Sequence, residues 1–326
     1  MCNVIKEKFT NNQLINKLPV VQFALENNLF KDYSPNHLFA RDDLFVLNLT
    51  TNLFYRLETL RKEWKDDIIH DIISDKLAAG KNNYNEDNLR QVISEIEIIS
   101  YFPRIMRNFL DYLKYEPKFN NDKNPEIEFL FQNSRYQIEV KSPTFKYNEQ
   151  ITDGDIFINY RVGSDRLNEI ASQNITYHFP QDNKFKDYLN SAQEKFSSEC
   201  ADKNSNVFGI LFVNWDNFVH LNIDPTFDNL DSIFFNPISG IFTENSFITE
   251  NNNPVKFDRV NGVLIYQRTM SEYGENIIFA DYRLYKKYFI QNPYSKEVSE
   301  EFINQILSAP IRTPKKSYKD MTILDI

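Results

Sequence analysis

Seven consecutive residues without a polar side chain, Val207-Phe-Gly-Ile-Leu-Phe-Val213, constrain this chain more than any other stretch. The run has the length of a strand and lacks the alternation of a half-exposed one, so both of its faces need cover. Helices are the usual cover, and the sequence supplies them. Leu14–Leu29 has apolar residues at helical spacing, and Leu47–Ile73 carries Leu53, Leu57, Leu60 and Trp64 down one face. Asp87–Phe102 and Phe185–Ser198 also read as helices. Val260–Tyr266 and Ile277–Ala280 resemble the first apolar run. Helices, strands, helices and then buried strands predict an α/β fold, a mixed β-sheet flanked by helices, with an N-terminal helical region.

A breaker at Ala78-Ala-Gly-Lys-Asn-Asn-Tyr-Asn-Glu86 sets a boundary. It divides an N-terminal helical region (1–86) from a core (87–290), followed by a C-terminal helix and basic tail (291–326). Asp87 reads as a helix N-cap and Pro103 as the stop of that helix, with a second helix over Arg104–Leu113. Pro117 confines a strand at Tyr115–Phe119 to a sheet edge. Asp153-Gly-Asp marks a turn and Ser164–Ala171 a helix. Pro225–Lys256 reads as loop with short strands, and Val298–Leu307 as a short helix.

The formal net charge of −9 argues against an indiscriminate polyanion binder but leaves room for a local basic groove. Cys2 and Cys200 form no close pair, and the four histidines lack metal-ligand spacing, which speaks against a disulfide framework or a zinc ribbon. No apolar run reaches the roughly 18 residues of a membrane span, and Met1–Thr10 lacks a signal-peptide core. The expectation is a cytoplasmic protein with no membrane partner.

The chemistry gathers in Asn124–Ser142, which reads as two short strands and a tight turn. Strand period puts Gln137, Glu139 and Lys141 on one face, opposite Ile138 and Val140. Glu126 and Glu128 share a face opposite Ile127 and Phe129. With Asn133-Ser134 as a two-residue turn, Glu128 lies opposite Glu139 and Glu126 opposite Lys141. Carboxylates gathered this way repel one another unless a cation joins them. Mg²⁺ (or Mn²⁺) suits hard oxygen ligands, and a lysine beside it stabilises developing negative charge. Glu-x-Lys occurs three times in the chain. Glu63-Trp-Lys65 is helical and Glu116-Pro-Lys118 holds a proline, so only Glu139-Val-Lys141 lies in a clean strand. A solvent-exposed charged hairpin face is the plainer alternative.

Pro125-Glu126, a hairpin, then Ile138-Glu-Val-Lys-Ser142 resembles the PD-(D/E)XK nuclease superfamily, which has a restriction-endonuclease-like core. The resemblance covers roughly Asp87 to Tyr282. It implies Glu126 and Glu139 as metal ligands with the Val140 carbonyl beside them, and Lys141 as the catalytic lysine. Glu126 stands where Asp is usual, lengthening the arm by one methylene, and Glu128 stays open as the alternative ligand. Such nucleases often carry another glutamate on the preceding helix. On a wheel Glu95 falls about 60° from the centre of the apolar face and Glu97 about 140°, which favours Glu95 and turns Glu97 to water. Gln193, in Ala192-Gln-Glu-Lys-Phe196, is similar to a glutamine found on that helix in some branches.

The resemblance implies a metal-dependent nuclease acting on nucleic acid, DNA ahead of RNA, as an endonuclease of restriction or phage-defence type. Duplex cleavage favours a homodimer. Arg104, Arg107, Lys114, Lys118, Lys123, Lys146, Arg161 and Arg166 offer phosphate contacts, and Tyr101, Tyr147 and Tyr160 offer stacking, with scattered solubilising charge and core packing as the default readings. The rival readings are a non-catalytic binding protein that keeps the nuclease fold and an acidic interaction protein such as an inhibitor or immunity partner. The sequence has no Gly-rich phosphate loop, no Gly-x-Ser-x-Gly elbow and no His-Glu-x-x-His.

Overall fold

A computed structural model describes residues 4–13, 15–105, 113–119, 123–142, 156–157, 172, 177–178, 183–214, 230–237, 240–246, 248–267, 270–273, 276–279, 286–307 and 311–312. The chain divides into two compact units. One comprises Met1–Leu113, Val140–Thr144 and Arg268–Lys286, the other Lys114–Glu139, Phe145–Gln267 and Lys287–Ile326. No described helix is long and apolar enough to cross a membrane.

Among its described residues the first unit has five α-helices: α1 (Val4–Asn11), α2 (Pro19–Glu26), α3 (Leu44–Arg61), α4 (Asp66–Asp71) and α5 (Glu86–Ile105). Its core is aromatic. Phe9 meets Phe30 edge-on at 4.9 Å and Phe54 at 5.3 Å, and all three are buried. Such edge-to-face pairs stabilise beyond the area they bury. Asp43 caps α3 by accepting the Val46 N–H. Asn85, rather than the expected Asp87, caps α5, its Oδ1 accepting the N–H groups of Asp87 and Asn88. Contrary to the sequence reading, α5 runs through Pro103 to Ile105. The proline lies inside the described helix, where its missing N–H removes one ladder bond.

His37 is buried in this unit among Tyr33, Phe39 and Tyr84. Its Nδ1 accepts the Phe39 N–H and its Nε2 lies 2.8 Å from the Leu77 carbonyl. Nε2 must therefore carry the proton, and the ring is neutral with both nitrogens engaged. Burial pushes its pKa down to about 4.

Among the described residues the sheet has seven strands: β1 (Leu113–Tyr115), β2 (Ile127–Phe131), β3 (Ser134–Lys141), β4 (Val207–Asn214), β5 (Gly262–Gln267), β6 (Lys286–Gln291) and β7 (Ile311–Arg312), in that spatial order. It is mixed: β2 and β3 are antiparallel, whereas β4–β5 and β6–β7 are parallel. The class is thus α/β with a mixed sheet flanked by helices, as the apolar runs predict. The expected strand at 115–119 is shifted to β1, at the sheet edge. Ile277–Ala280 supplies Asn276–Phe279, which pairs with Met270–Tyr273 in a separate two-stranded ladder among the described residues. The interval 225–256 contains a helix, α7 (Leu230–Phe235), among its turns, and a π-helical segment spans Phe302–Leu307.

In the second unit α6 (Asn183–Lys195) lays Phe185, Leu189 and Ala192 into the core, followed by Phe196, all fully buried. The core continues through Leu211 and Val213 of β4 and Val263 and Ile265 of β5. Gly209 of β4 makes the fit possible. A Cβ there would lie 2.4 Å from the Phe196 ring and 2.4 Å from the Arg259 carbonyl. The strand has no side chain where the helix end touches it.

The expected turn at 153–155, the helix at 164–171 and the tail beyond 312 lie outside the described residues, as do Arg107, Lys146, Tyr147, Tyr160, Arg161 and Arg166.

Candidate functional site

The β2–β3 hairpin turns one residue earlier than the sequence reading places it. Phe131 pairs with Ser134, so the loop is Gln132-Asn133. Both loop residues have positive φ, 47° and 65°, the left-handed pair of a type I′ turn. The pairing changes with it: Glu128 faces Gln137, not Glu139, and the ladder ends at Ile127–Ile138. Glu126, one residue further out, donates its N–H to the Ile138 carbonyl at 2.9 Å.

Each face of the hairpin has its own cover. Phe129, Phe131 and Tyr136 lie against Phe302, whose ring stacks on Tyr136 at 3.8 Å. The other face carries the carboxylates, and it is not a solvated surface. Glu126, Glu128, Gln137 and Glu139 are all buried, Glu139 completely. Burying a carboxylate costs several kcal/mol unless it is paired or hydrogen-bonded, so the partners on this face decide its chemistry.

Glu128 belongs to a hydrogen-bond network. Gln137 Nε2 donates to Glu128 Oε2 at 2.8 Å and to Ser197 Oγ at 3.1 Å. Gln137 Oε1 accepts the Ser197 N–H at 2.9 Å and the Cys200 thiol at 3.4 Å. Burial pushes that thiol up to about 12, so Cys200 serves here as a neutral donor. The network ties the hairpin to the chain leaving α6.

Glu126 and Glu139 meet a different group. Lys195, the last residue of α6, places Nζ 2.7 Å from Glu139 Oε1 and 3.5 Å from Glu126 Oε1. One ammonium thus gathers carboxylates from both sides of the hairpin. Sequence reasoning picked Gln193 on this helix and passed over Lys195. Gln193 instead fastens α6 to a turn, donating to Asp258 Oδ1 at 2.6 Å and accepting the Arg259 N–H at 3.0 Å. Only tertiary packing distinguishes Lys195 from any other lysine near a helix C-terminus, where cations are common.

Glu95, Glu97, Tyr101, Val140 and Lys141 belong to the first unit. Glu95 is buried on α5, where it accepts from Gln91 Nε2 at 2.8 Å and lies 3.6 Å from Lys76 Nζ. The same Gln91 Nε2 lies 2.8 Å from the Val140 carbonyl, while Gln91 Oε1 accepts the Ser142 N–H at 2.6 Å. Gln91 thus brings together Glu95 and Val140, two groups expected at a metal. Lys141 ends β3, half-buried. Glu97, expected to face water, is buried, with Arg56 of α3 at 3.4 Å. Tyr101 is a core residue packed on Phe102, in line with the default reading of an aromatic in so aromatic a chain. Lys114, Lys118 and Lys123 are exposed, and Lys123 pairs with Glu194.

Among the described residues, no three His, Cys, Asp or Glu side chains come together to hold a metal ion. The pair Glu126 and Glu139 nonetheless fits a hard cation. Mg²⁺ needs only one or two carboxylates and completes its shell with water and substrate phosphate. The ammonium of Lys195 already stands in as a positive charge against both. Comparison with protein-family models, curated proteins and solved structures finds no match to this chain.

Proposed function

We propose that this protein is a divalent-metal-dependent nuclease of the PD-(D/E)XK type, a DNA endonuclease of restriction or phage-defence kind. The observation that supports it most is the meeting of Glu126 and Glu139, buried on either side of the hairpin, at the Lys195 ammonium. In this reading Glu126 and Glu139 hold Mg²⁺ or Mn²⁺, and Glu128 keeps the hairpin in place through Gln137. A bound metal supplies Lewis-acid polarisation of a phosphoryl oxygen and acidifies a water. Lys141, one strand period beyond Glu139, orients the attacking water or stabilises the phosphorane-like charge. Glu95 and the Val140 carbonyl are the auxiliary groups that the resemblance names. A homodimer supplies one site per strand of a duplex. The test is incubation of the protein with plasmid, linear DNA and RNA, with and without Mg²⁺ or Mn²⁺. Metal-dependent cleavage of DNA supports the reading; no cleavage of any polymer under all conditions refutes it.

One observation favours a second reading, a non-catalytic binding protein that keeps this fold. Lys195 places a cation of the protein itself against one oxygen of each carboxylate. Titration with Mn²⁺ separates the two, because saturable binding at the hairpin belongs to the nuclease and its absence to the binding protein.

A further inference from the structure

The geometry points to Lys195 as a displaceable counter-ion: its ammonium holds the Glu126–Glu139 pair together in the metal-free protein, and a divalent cation enters by ejecting it. This inference rests on the reading of the pair as a metal site. Three features of the second unit carry it. The ammonium contacts both carboxylates, at 2.7 and 3.5 Å, so it lies where a bridging cation would bind. The side chain of Lys195 is 23% exposed, whereas those of Glu139 and Glu126 are 0% and 7% exposed. The lysine has a way out and the carboxylates do not. The backbone beside it is also fixed: Phe196 is buried against Gly209, so the flexible four-carbon stem of Lys195 can swing while α6 stays in place.

The charge balance favours the exchange. A divalent ion carries twice the charge of the ammonium it displaces. At equal distance the divalent ion attracts each carboxylate twice as strongly. The ejected ammonium remains at the C-terminal end of α6, where the last carbonyls carry partial negative charge. Lys195 therefore keeps the buried acids compatible with folding before metal arrives, and it weakens metal binding by competing for them.

Lys195→Met keeps the stem and removes the charge. With competition gone, the dissociation constant for Mn²⁺, read by the loss of free-ion EPR signal, is expected to tighten about tenfold, which corresponds to one charge-assisted contact. Metal-free melting temperature falls in this variant and recovers with Mn²⁺. Lys195→Arg, which keeps a cation, stays near the wild-type affinity. If Lys195→Met does not fold, the unmodified protein still gives a readout. Acylation of Lys195 by an amine-reactive ester, mapped by mass spectrometry, rises on adding Mn²⁺. Equal Mn²⁺ affinity in wild type and Lys195→Met, or Lys195 acylation unchanged by saturating Mn²⁺, overturns the displacement and leaves the metal site intact. Absence of saturable Mn²⁺ binding by both proteins overturns the displacement and the metal site together.

Discussion

Gln91 Nε2 lies 2.8 Å from the carbonyl oxygen of Val140, although 49 residues separate the two in the chain. The same amide serves Glu95 and the Ser142 N–H, so a single side chain satisfies three groups. Gln91→Leu leaves them without this partner and is expected to destabilise the protein by about 1–3 kcal/mol. Gln91→Glu replaces the donor with an acceptor facing Glu95 and Val140, and its loss at pH 7 exceeds that of Gln91→Leu. Urea denaturation of both variants checks the order.

Glu126 and Glu128 are separable by substitution. Glu126→Gln and Glu139→Gln remove a charge from the pair at Lys195, and each is expected to lower metal-dependent cleavage at least about 10²-fold with the fold retained. Lys141→Ala behaves likewise. Glu128→Gln keeps an oxygen to accept from Gln137 and leaves cleavage within a few-fold of wild type. Plasmid nicking rates with circular dichroism as a folding control decide the matter. Full activity in Glu139→Gln and Lys141→Ala would falsify the assignment.

His37 makes stability depend on pH with a definite sign. Its pKa falls from the ordinary 6.5 to about 4 in the folded state. The unfolded chain therefore binds the extra proton first. The contribution is fully present above pH 6.5 and is lost as pH falls toward 4, for a total of about 3 kcal/mol. His37→Gln removes this titration and flattens the profile over that window. Urea midpoints measured from pH 4 to 7.5 for both proteins test the slope.

Gly209 is a packing requirement. Gly209→Ala drives a methyl group into the Phe196 ring and the Arg259 carbonyl. Overpacking of this kind costs about 1–3 kcal/mol. Because Lys195 adjoins Phe196, the displaced helix end also loosens the Lys195–Glu139 contact. A lower melting temperature accompanied by faster Lys195 acylation is the expected pair of effects.

The apolar run at 207–213 announced β4 to within a residue, and Val260–Tyr266 announced β5, because full burial leaves a mark on every position of a strand. β6 escaped notice, since Lys286 and Lys287 open it and mask its apolar part. The turn was misread because Asn-Ser looks like turn chemistry, whereas the loop holds Gln132 in a conformation glutamine seldom adopts. The wheel for α5 ranked Glu95 above Glu97 by distance from one apolar stripe. It had no view of α3, which brings Arg56 to bury Glu97. Lys195 lay beyond sequence reading for the same reason: its role depends on acids more than fifty residues away.

The turn at Gln132-Asn133 makes the hairpin a ruler. Side chains alternate strictly along a strand, so parity counted from the tip decides what reaches the acidic face. Deleting one residue between Asn133 and Gln137 would present Ile138 and Val140 where Gln137 and Glu139 now stand. Substitutions at the exposed tip leave that count untouched, and two-residue changes preserve it. This segment therefore tolerates drift in residue identity far better than any odd change in length.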